Sequence, residues 1–155
     1  METSIRAANI NDLTTIQELN KRLFEYESAF GNTYNLDWTF SDKGRNYFED
    51  RINGERGIVL VSEINGKIIG YICGQIDSYS FRSINPICEI ENMFVLEEFR
   101  QKGVGKGLVN AFTSLAKEKG VKRLKVGVIS QNLKAIAFYR YLGLSDFEVF
   151  LEKTI

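Results

Sequence analysis

The stretch RQKGVGKG, residues 100–107, decides the fold, because it joins a predicted strand to a predicted helix through a glycine-rich turn. The start of a helix offers unpaired backbone N–H groups and a partial positive charge, which together favour phosphate groups. Glycine lets a phosphate approach the backbone without interference from Cβ. Arg100, Lys102 and Lys106 add positive charge. The stretch therefore predicts a phosphate-binding turn.

Two common phosphate-binding patterns do not fit this turn. A P-loop needs glycine, four residues and then Gly-Lys-Ser/Thr, but Arg100 stands at the first glycine and Gly107 replaces Ser/Thr. A Rossmann turn needs G-x-G-x-x-G, and here the third glycine is misplaced. The pattern that fits is Arg/Gln-x-x-Gly-x-Gly/Ala, filled by Arg100, Gly103 and Gly105.

A second segment, NLKAIAFYRYLGL at residues 132–144, lies about thirty residues further on, with a predicted helix and strand between the two. With the turn and the strand IENMFV at residues 90–95, it resembles the GNAT superfamily of N-acetyltransferases, whose pattern here is N-x-x-A-x-x-F-Y-x-x-x-G-F. Only Leu144 departs from that pattern. The resemblance covers about residues 87–144, and residues 1–86 match only in the order of elements.

Periodicity on both sides of the turn gives the fold class. The order β-α-α-β-β-β-α-β-α-β predicts one α/β domain over residues 1–155, an α+β mixed sheet with helices on both faces, as in GNAT proteins. The Asn65-Gly66 pair between two β-rich runs predicts a hairpin. Predicted strands span 4–7, 58–64, 67–77, 87–95, 124–128 and 147–153, and predicted helices span about 12–28 (capped by Asn11 or Asp12), 42–52, 103–119 and 132–142.

Composition excludes several classes of protein. The length of 155 residues suits one domain, and the absence of histidine excludes Ser-His-Asp triads and His-rich zinc sites. The two cysteines, Cys73 and Cys88, are too few for a four-cysteine zinc site and are expected to be buried free thiols. The zero net charge, with no apolar run of membrane length and no signal-peptide pattern, predicts a cytoplasmic protein without nucleic-acid or membrane partners.

The zero net charge hides an asymmetry between the two parts of the chain. Residues 1–95 carry 14 acidic and 9 basic side chains, a net charge of −5, whereas residues 96–155 carry 6 acidic and 11 basic ones, a net charge of +5. The split predicts either two partners of opposite charge or simply two solvated surfaces. With the resemblance, residues 1–86 are expected to serve mainly the acceptor and residues 87–155 mainly acetyl-CoA.

The resemblance implies that acetyl-CoA is the co-substrate, without a metal. The N–H groups of residues 104–106 would hold its pyrophosphate, and the fourth strand would pair with the pantetheine arm through Met93 and Val95. The N–H of Phe94, beside a bulge, would face the thioester oxygen. The residues expected to contact acetyl-CoA are Met93, Phe94, Val95, Arg100, Gln101, Lys102, Gly103, Val104, Gly105, Lys106, Asn132, Ala135, Phe138 and Tyr139.

Tyr139 is the candidate general acid, because a phenol of pKa about 10 can protonate a departing thiolate of pKa about 8.5. The alternative is an ordinary core aromatic. Asn132 would bind the pantetheine arm, cap its helix, or do both. The general base remains open between Glu89, Glu91 and water alone, because the resemblance offers a carboxylate at either position. The two carboxylates lie on one side of a regular strand, and the alternative is a solvated pair.

Aromatic and acidic residues alternate over residues 24–48, and such a mixture can bind a cationic amine by cation–π contact and charge. The alternative interpretation is an aromatic core, and a homodimer interface could also use this surface. The candidate acceptor-binding residues are Phe24, Glu27, Tyr34, Trp38 and Tyr79.

The sequence therefore predicts an N-acetyltransferase in which a primary amine attacks acetyl-CoA directly. The acceptor is a small amine, a polyamine, an aminoglycoside or a peptide or protein amine. The alternative is a catalytically idle GNAT domain that senses acyl-CoA or binds another protein. A nucleotide-binding module is a third possibility, which predicts stabilisation by ATP or NAD rather than by CoA.

Overall fold

Five strands and four α-helices, with three single-turn 3-10 helices, are found in residues 2–31 and 33–155, the part of the chain that this computed structural model describes. Their order confirms the predicted succession of elements up to residue 141. The elements are β1 (Ser4–Ala7), α1 (Leu13–Ser28), α2 (Asp42–Asn53), β2 (Gly57–Ile64), β3 (Lys67–Asp77), β4 (Ile87–Val95), α3 (Val104–Glu118), β5 (Arg123–Val126) and α4 (Leu133–Tyr141).

The strands form one mixed sheet in the order β1-β2-β3-β4-β5. Neighbours from β1 to β4 are antiparallel, and β5 runs parallel to β4. The predicted hairpin joins β2 to β3 at Asn65 and Gly66, whose φ angles of 50° and 76° are the left-handed values such a tight turn needs. The mixed sheet is therefore as predicted.

The two faces of the sheet carry different helices. On one face, Asn20 of α1 donates a hydrogen bond to the Tyr71 hydroxyl at 3.0 Å, and the Phe48 ring of α2 lies 6.4 Å from the Tyr71 ring. On the other face, a Cβ built on Gly74 would come within 2.7 Å of Phe112 in α3. Because Tyr71 and Gly74 point to opposite faces of β3, α1 and α2 cover one face and α3 the other. The prediction of helices on both faces is confirmed.

Asp12, one of the two predicted cap residues, occupies the N-cap position of α1, but its side chain makes no capping hydrogen bond to that helix. The Asn9 side chain accepts the N–H of Asn11 at 2.9 Å, and Asp12 accepts the N–H of Asn9 at 2.8 Å. These two bonds close a capping box on the 3-10 turn Ile10–Asp12, which leads directly into α1.

The predicted last strand, 147–153, is wrong for this structure. Residues 145–155 form no strand, although their alternation of apolar side chains is typical of one. A strand exists only through pairing with a neighbour, and the sheet described here ends at β5 without another strand beside it. The β5 strand also stops at Val126, two residues before its predicted end.

Both cysteines, Cys73 and Cys88, are free and buried, as predicted. Burial raises the pKa of each thiol to about 12, so both remain protonated at neutral pH. Within residues 2–31 and 33–155, no helix combines the length and the apolar character needed to cross a bilayer.

Candidate active site

Strands β4 and β5 stay paired for only part of their length. The pairing runs from Ile87 opposite Arg123 to Ile90 opposite Val126 and then stops. Beyond that point β4 continues to Val95, paired with β3 alone. An extended ligand can use such an open strand side through main-chain hydrogen bonds.

The predicted bulge of the fourth strand lies at Glu91, where the two strands begin to separate. Asn92 pairs with Cys73 and Ile90 with Gly74, so Glu91 has no partner of its own on β3. A bulge redirects the side chain that occupies it and bends the strand. The sheet therefore opens directly after its one irregular position in β4.

The Glu91 carboxylate is fully engaged by α2. Arg51 donates from Nε to Oε2 at 2.7 Å and from Nη2 to Oε1 at 2.9 Å, and the Tyr47 hydroxyl donates to Oε2 at 2.8 Å. The Arg51 guanidinium also covers the Tyr47 ring at 4.6 Å, and Asn92 donates to the Tyr47 oxygen at 2.8 Å. Glu91 therefore ties the bulge to α2.

The sequence analysis missed Tyr47 and Arg51. They lie four residues apart on α2, hence on one face of that helix, which is the signal that could have grouped them. Their partner Glu91 is about forty residues away in sequence, so only the fold brings the three together.

Glu89 has a looser environment than Glu91. Lys125, directly opposite it on β5, places Nζ 3.3 Å from the Glu89 carboxylate, which is partly exposed. Glu89 pairs with Gln75, whose side chain lies on the same sheet face as that of Tyr71. The Lys125 ammonium lies 5.6 Å from the Tyr79 ring, which places Tyr79 on this side of the site.

The glycine turn leaves a row of N–H groups free. Gln101 and Gly103 have positive φ angles of 58° and 85°, and Gly103 precedes the first residue of α3. The first hydrogen bond of the helix is donated by Gly107 to the Gly103 carbonyl, at 2.9 Å. In the described chain, the N–H groups of residues 104–106 have no acceptor. Such a cluster of N–H groups is an anion-binding concavity.

The turn lies against both the open part of β4 and α4. A Cβ built on Gly105 would lie 3.3 Å from Phe138 of α4 and 3.9 Å from the Met93 side chain of β4. The structure therefore brings together Met93, Gly105 and Phe138, which were predicted to serve one ligand. Glycine at position 105 is what permits this close approach.

The basic side chains of the turn are held in place by their neighbours. Arg100 donates from Nε to the Val95 carbonyl at 2.8 Å, and its guanidinium lies 4.9 Å from the Phe94 ring. Lys102 donates to the Glu98 carbonyl at 2.9 Å. Arg100 therefore holds the turn against the end of β4, and its hydrogen bond makes the Val95 carbonyl less available to a ligand.

Tyr139 is buried, with 8% of its surface exposed. Its hydroxyl has no hydrogen-bond partner among residues 2–31 and 33–155. Two polar atoms of the described chain, Ser62 Oγ and Asn92 Oδ1, are fully enclosed without a partner, and the Tyr139 hydroxyl is not among them. Burial, and to a smaller degree the charge of Glu27, raises the pKa of the Tyr139 phenol well above its usual value. The phenol therefore remains protonated at neutral pH, and the same burial makes it a weaker acid than an exposed tyrosine.

Asn132 caps α4 by accepting the N–H of Ala135 at 3.2 Å. The cap uses only the amide oxygen, so the amide N–H groups of this buried residue are left without an acceptor in the described part of the chain. The predicted capping role is confirmed, and the donor side of the same amide remains available.

Glu27, on the last turn of α1, is a half-buried carboxylate with no salt bridge or side-chain hydrogen bond to any described residue. Burial raises its pKa. The negative charge of Glu27 contributes to the raised pKa of both Tyr34 and Tyr139. Glu27, one of the candidate acceptor-binding residues, therefore lies within electrostatic reach of Tyr139.

An aromatic row extends from Glu27 toward the bulge. Phe24 contacts Tyr34 at 4.6 Å and Trp38 at 5.9 Å, and Trp38 contacts Tyr47 at 5.4 Å, measured between ring centres. Phe24, Tyr34 and Trp38, three of the candidate acceptor-binding residues, thus form one cluster. Tyr79 is apart from them, since its ring neighbours are Phe81 and Lys125.

No group of histidine, cysteine, aspartate or glutamate side chains within the described ranges is arranged to hold a metal ion. The candidate site brings together the free N–H groups of residues 104–106, the tyrosines Tyr47 and Tyr139, and the carboxylates Glu27, Glu89 and Glu91. Such groups can bind phosphates and move protons.

Comparison with known proteins relates this chain to N-acetyltransferases. The sequence profile described as Acetyltransferase (GNAT) family matches residues 15–144. An uncharacterized N-acetyltransferase of Methanocaldococcus jannaschii is 31% identical over 103 residues, which are 66% of this chain and 46% of that protein. The chain thus spans about half the length of that relative. An uncharacterized N-acetyltransferase of Archaeoglobus fulgidus is 27% identical over 135 residues, 87% of this chain and 88% of that protein.

The fold is similar to that of a solved structure, aminoglycoside N-acetyltransferase AAC(6')-Iy in complex with CoA. The TM-score is 0.80, the sequence identity 21%, and the match covers 99% of this chain and 95% of that one. At this level of identity the likeness concerns the fold.

Proposed function

This chain belongs to the GNAT family of acetyltransferases, and on that premise we propose that it moves an acetyl group from acetyl-CoA to a primary amine. One observation carries the proposal. The free N–H groups at the start of α3 adjoin the open side of β4 and the α4 helix that bears Tyr139. A phosphate-bearing ligand with an extended arm fits this arrangement.

Acetyl-CoA occupies the opening in an extended form. Its pyrophosphate accepts hydrogen bonds from the N–H groups of residues 104–106, with Gln101, Lys102 and Lys106 adding polar contacts and charge. The pantetheine arm lies along β4, where Met93 offers the freer main-chain contact because the Val95 carbonyl already accepts from Arg100. The free amide N–H groups of Asn132 bind the arm from α4, whose Ala135 and Phe138 line the opposite wall.

The acceptor amine attacks the thioester carbon, and the carbonyl oxygen then becomes an oxyanion. The N–H of Met93, which faces the open side of β4, stabilises that charge. The N–H of Phe94 was the predicted donor, but Leu96 donates to the Ile69 carbonyl, and the same alternation turns the Phe94 N–H toward Tyr71 of β3. The C–S bond breaks as the intermediate collapses, and Tyr139 gives its proton to the departing thiolate. The attacking nitrogen, positively charged in the intermediate, loses its second proton to solvent, and the Tyr139 phenolate takes up a proton from solvent. The products are the acetylated amine and free CoA.

The attacking amine must first lose a proton, and we assign that proton to water hydrogen-bonded to Glu89. Glu91 is less available to a substrate or a water, because its carboxylate already accepts three hydrogen bonds, two of them from a guanidinium. Glu89 has one ion-pair partner and a partly exposed carboxylate. Glu91 then serves to hold the bulge.

We further propose that the acceptor carries a positive charge in addition to its reacting amine. Glu27 offers a carboxylate that no described side chain neutralises, and Phe24, Tyr34 and Trp38 offer aromatic surface beside it. Charge attraction and cation–π contact together favour an ammonium group there. Polyamines and aminoglycosides are acceptors of this kind, and aminoglycoside acetyltransferase is the name carried by one structural neighbour.

The test is CoA release from acetyl-CoA, measured with a thiol reagent across polyamines, aminoglycosides, neutral amino acids and peptides. Release that depends on cationic acceptors supports the proposal. Tight CoA binding without release for any acceptor would instead favour the idle, acyl-CoA-sensing domain. Thermal stabilisation by ATP or NAD and none by CoA would refute acetyl-CoA as the ligand.

We also propose that the protein acts as a homodimer in a reducing, cytoplasmic compartment. The compartment is supported by the two free and buried thiols, Cys73 and Cys88. The homodimer is supported by the exposed apolar side chains of Phe147, Val149 and Leu151 in residues 145–155.

A further inference from the structure

Arg100 links the glycine turn to helix α1 as well as to β4. Its guanidinium lies 5.3 Å from the centre of the Tyr26 ring, on the last turn of α1, and 4.9 Å from the centre of the Phe94 ring in β4. Within residues 2–31 and 33–155, Tyr26 and Phe94 make no ring contact with each other. Arg100 is therefore the group that joins them.

The Arg100 guanidinium lies on the face of the sheet that α1 and α2 cover. Phe94 is paired with Tyr71 of β3, so both of these side chains point to that face. Arg100 uses its Nε for the Val95 carbonyl, and its terminal N–H groups have no acceptor or ion-pair partner in the described chain. Its positive charge is therefore directed toward α1 and is not neutralised by a described carboxylate.

The last turn of α1 has few other attachments. The helix has no basic residue of its own in that turn, where the helix dipole favours a cation. Its buried side chains Gln17 and Asn20 anchor it further back, through hydrogen bonds of 2.9 and 3.0 Å. Among the hydrogen bonds, ion pairs and ring contacts of the described residues, only the contact of Tyr26 with Arg100 ties the last turn to the sheet.

The same turn carries Glu27, the carboxylate assigned above to the acceptor. Glu27 is half-buried and has no salt bridge or side-chain hydrogen bond to a described residue. An unpaired carboxylate is more stable in water than in a protein interior, and helix ends fray, so hydration favours a last turn that moves outward. A contact that holds Tyr26 in place therefore also holds Glu27 within reach of Tyr139.

We propose that Tyr26 and Arg100 are positioning residues of the acceptor site, and that their cation–π contact holds Glu27 where it meets the second positive charge of the acceptor. The role of Glu27 rests on the proposed function, whereas the contact itself does not depend on the transfer chemistry. Because Arg100 also begins the glycine turn, one side chain fixes both the acceptor carboxylate and the turn assigned to CoA.

The first test is the pKa of the Glu27 carboxyl, measured by NMR titration of the full chain without ligand. In Tyr26→Leu the last turn loosens and water reaches Glu27, so its raised pKa should fall toward that of an exposed glutamate. Tyr26→Phe keeps a ring for the guanidinium and should leave the pKa unchanged. Phe40→Leu is the matched control, since Phe40 is 50% exposed, against 40% for Tyr26, and lies outside this contact.

A double-mutant cycle identifies Arg100 as the partner of Tyr26. In an Arg100→Met background, Tyr26→Leu should leave the pKa of Glu27 unchanged, because the contact that it removes is already absent. A fall of the same size in both backgrounds would overturn the role of Arg100. Circular dichroism checks that every variant folds.

The second test is steady-state kinetics with spermidine and neamine as acceptors. Tyr26→Leu should raise the KM for these cationic acceptors about three- to tenfold, the range of a lost cation–π contact. The KM for acetyl-CoA should stay within about twofold of that of the unaltered chain. Tyr26→Phe should restore the acceptor KM, because the ring and not the hydroxyl contacts the guanidinium.

The outcomes separate this inference from the proposed function. An unchanged pKa of Glu27 in Tyr26→Leu would overturn the inference, whatever the activity. A Tyr26→Phe variant that behaves like Tyr26→Leu, or a KM for acetyl-CoA that rises as much as the acceptor KM, would also overturn it. A lowered pKa of Glu27 without CoA release for any acceptor would support the positioning contact and count against the transfer function instead.

Discussion

Arg51 holds both carboxylate oxygens of Glu91, with N–O distances of 2.7 and 2.9 Å, and thereby fastens the bulge of β4 to helix α2. The bulge lies where β4 and β5 separate, so this ion pair sets the geometry of the opening. Its electrostatic consequence is a raised pKa of the Arg51 guanidinium, caused first by its hydrogen bonds to Glu91.

Arg51→Met is expected to lower the free energy of unfolding by about 1–3 kcal/mol, because a half-buried carboxylate loses its charged partner. It should also lower kcat by displacing the main-chain N–H groups that follow the bulge on the open side of β4. Urea denaturation and steady-state kinetics measure the two effects. The control is Arg45→Met, whose pair with Glu49 is more exposed and should cost about 0.5 kcal/mol or less. Equal losses in both variants would contradict the role of the clamp.

Tyr139→Phe is expected to lower kcat about 10- to 1,000-fold, because the variant keeps the ring and loses only the proton donor. The KM for acetyl-CoA should change little. Tyr141→Phe is the matched control, since Tyr141 belongs to the same helix but is 76% exposed. Unchanged turnover in Tyr139→Phe would refute the role of Tyr139 as general acid.

Glu27→Gln should raise KM for a cationic acceptor about 10- to 100-fold, in the range of a lost charge-assisted hydrogen bond. The KM for acetyl-CoA is expected to stay constant. Glu25→Gln, an exposed neighbour on the same helix, is the control. An equal rise for cationic and neutral acceptors would show that charge is not what Glu27 recognises.

Glu27→Gln is expected to stabilise the folded chain at neutral pH, although it weakens the binding of a cationic acceptor. Because burial raises the folded-state pKa of Glu27, the folded chain holds this proton more tightly than the unfolded chain does. Stability is therefore lost as pH rises from the unfolded pKa through the raised folded pKa. Glu27→Gln should be more stable than the unaltered chain at pH 7 and equally stable near pH 3, as thermal melts at both pH values would reveal.

Gly103→Ala should weaken CoA binding, whereas Gly120→Ala should not. Both glycines have positive φ, 85° and 83°, and a Cβ at either position meets no atom within 4 Å. Both substitutions therefore carry a similar backbone cost, about 1 kcal/mol. Only Gly103 shapes the row of free N–H groups, so calorimetry with CoA separates the site effect from the strain. Equal CoA affinities in the two variants would contradict a binding role for the turn.

Glu89→Gln should remove the acidic limb of the pH–rate profile, if proton loss passes through water bound to Glu89. Glu91→Gln should keep that limb and lower kcat at all pH values, because it loosens the bulge. The reverse pattern would assign the base to Glu91, and an unchanged limb in both variants would leave water as the acceptor of the proton.

Local patterns were enough to predict most of the fold. The Asn65-Gly66 hairpin, the glycine turn and the strand 87–95 each depend on neighbouring residues, so their sequence patterns determined their structure. The grouping of Phe24, Tyr34 and Trp38 was also found, because these residues lie close together along the chain.

Contacts between residues that are far apart in sequence could not be predicted from local sequence patterns. Arg51 and Glu91 meet across forty residues, and no periodicity links them. Tyr79 was grouped with the acceptor residues, yet the fold places it beside Lys125. The segment at 147–153 has a strand pattern, but a strand also requires an edge in reach, which a pattern cannot supply.

The early separation of β4 from β5 leaves the sheet one strand short along its most open stretch. Under the proposed function, acetyl-CoA would complete the sheet there as well as supply the acetyl group. A ligand at one hundred times its Kd adds about 2.7 kcal/mol of stability. We therefore expect the protein to melt at a higher temperature, and to resist added protease longer, with acetyl-CoA than without it.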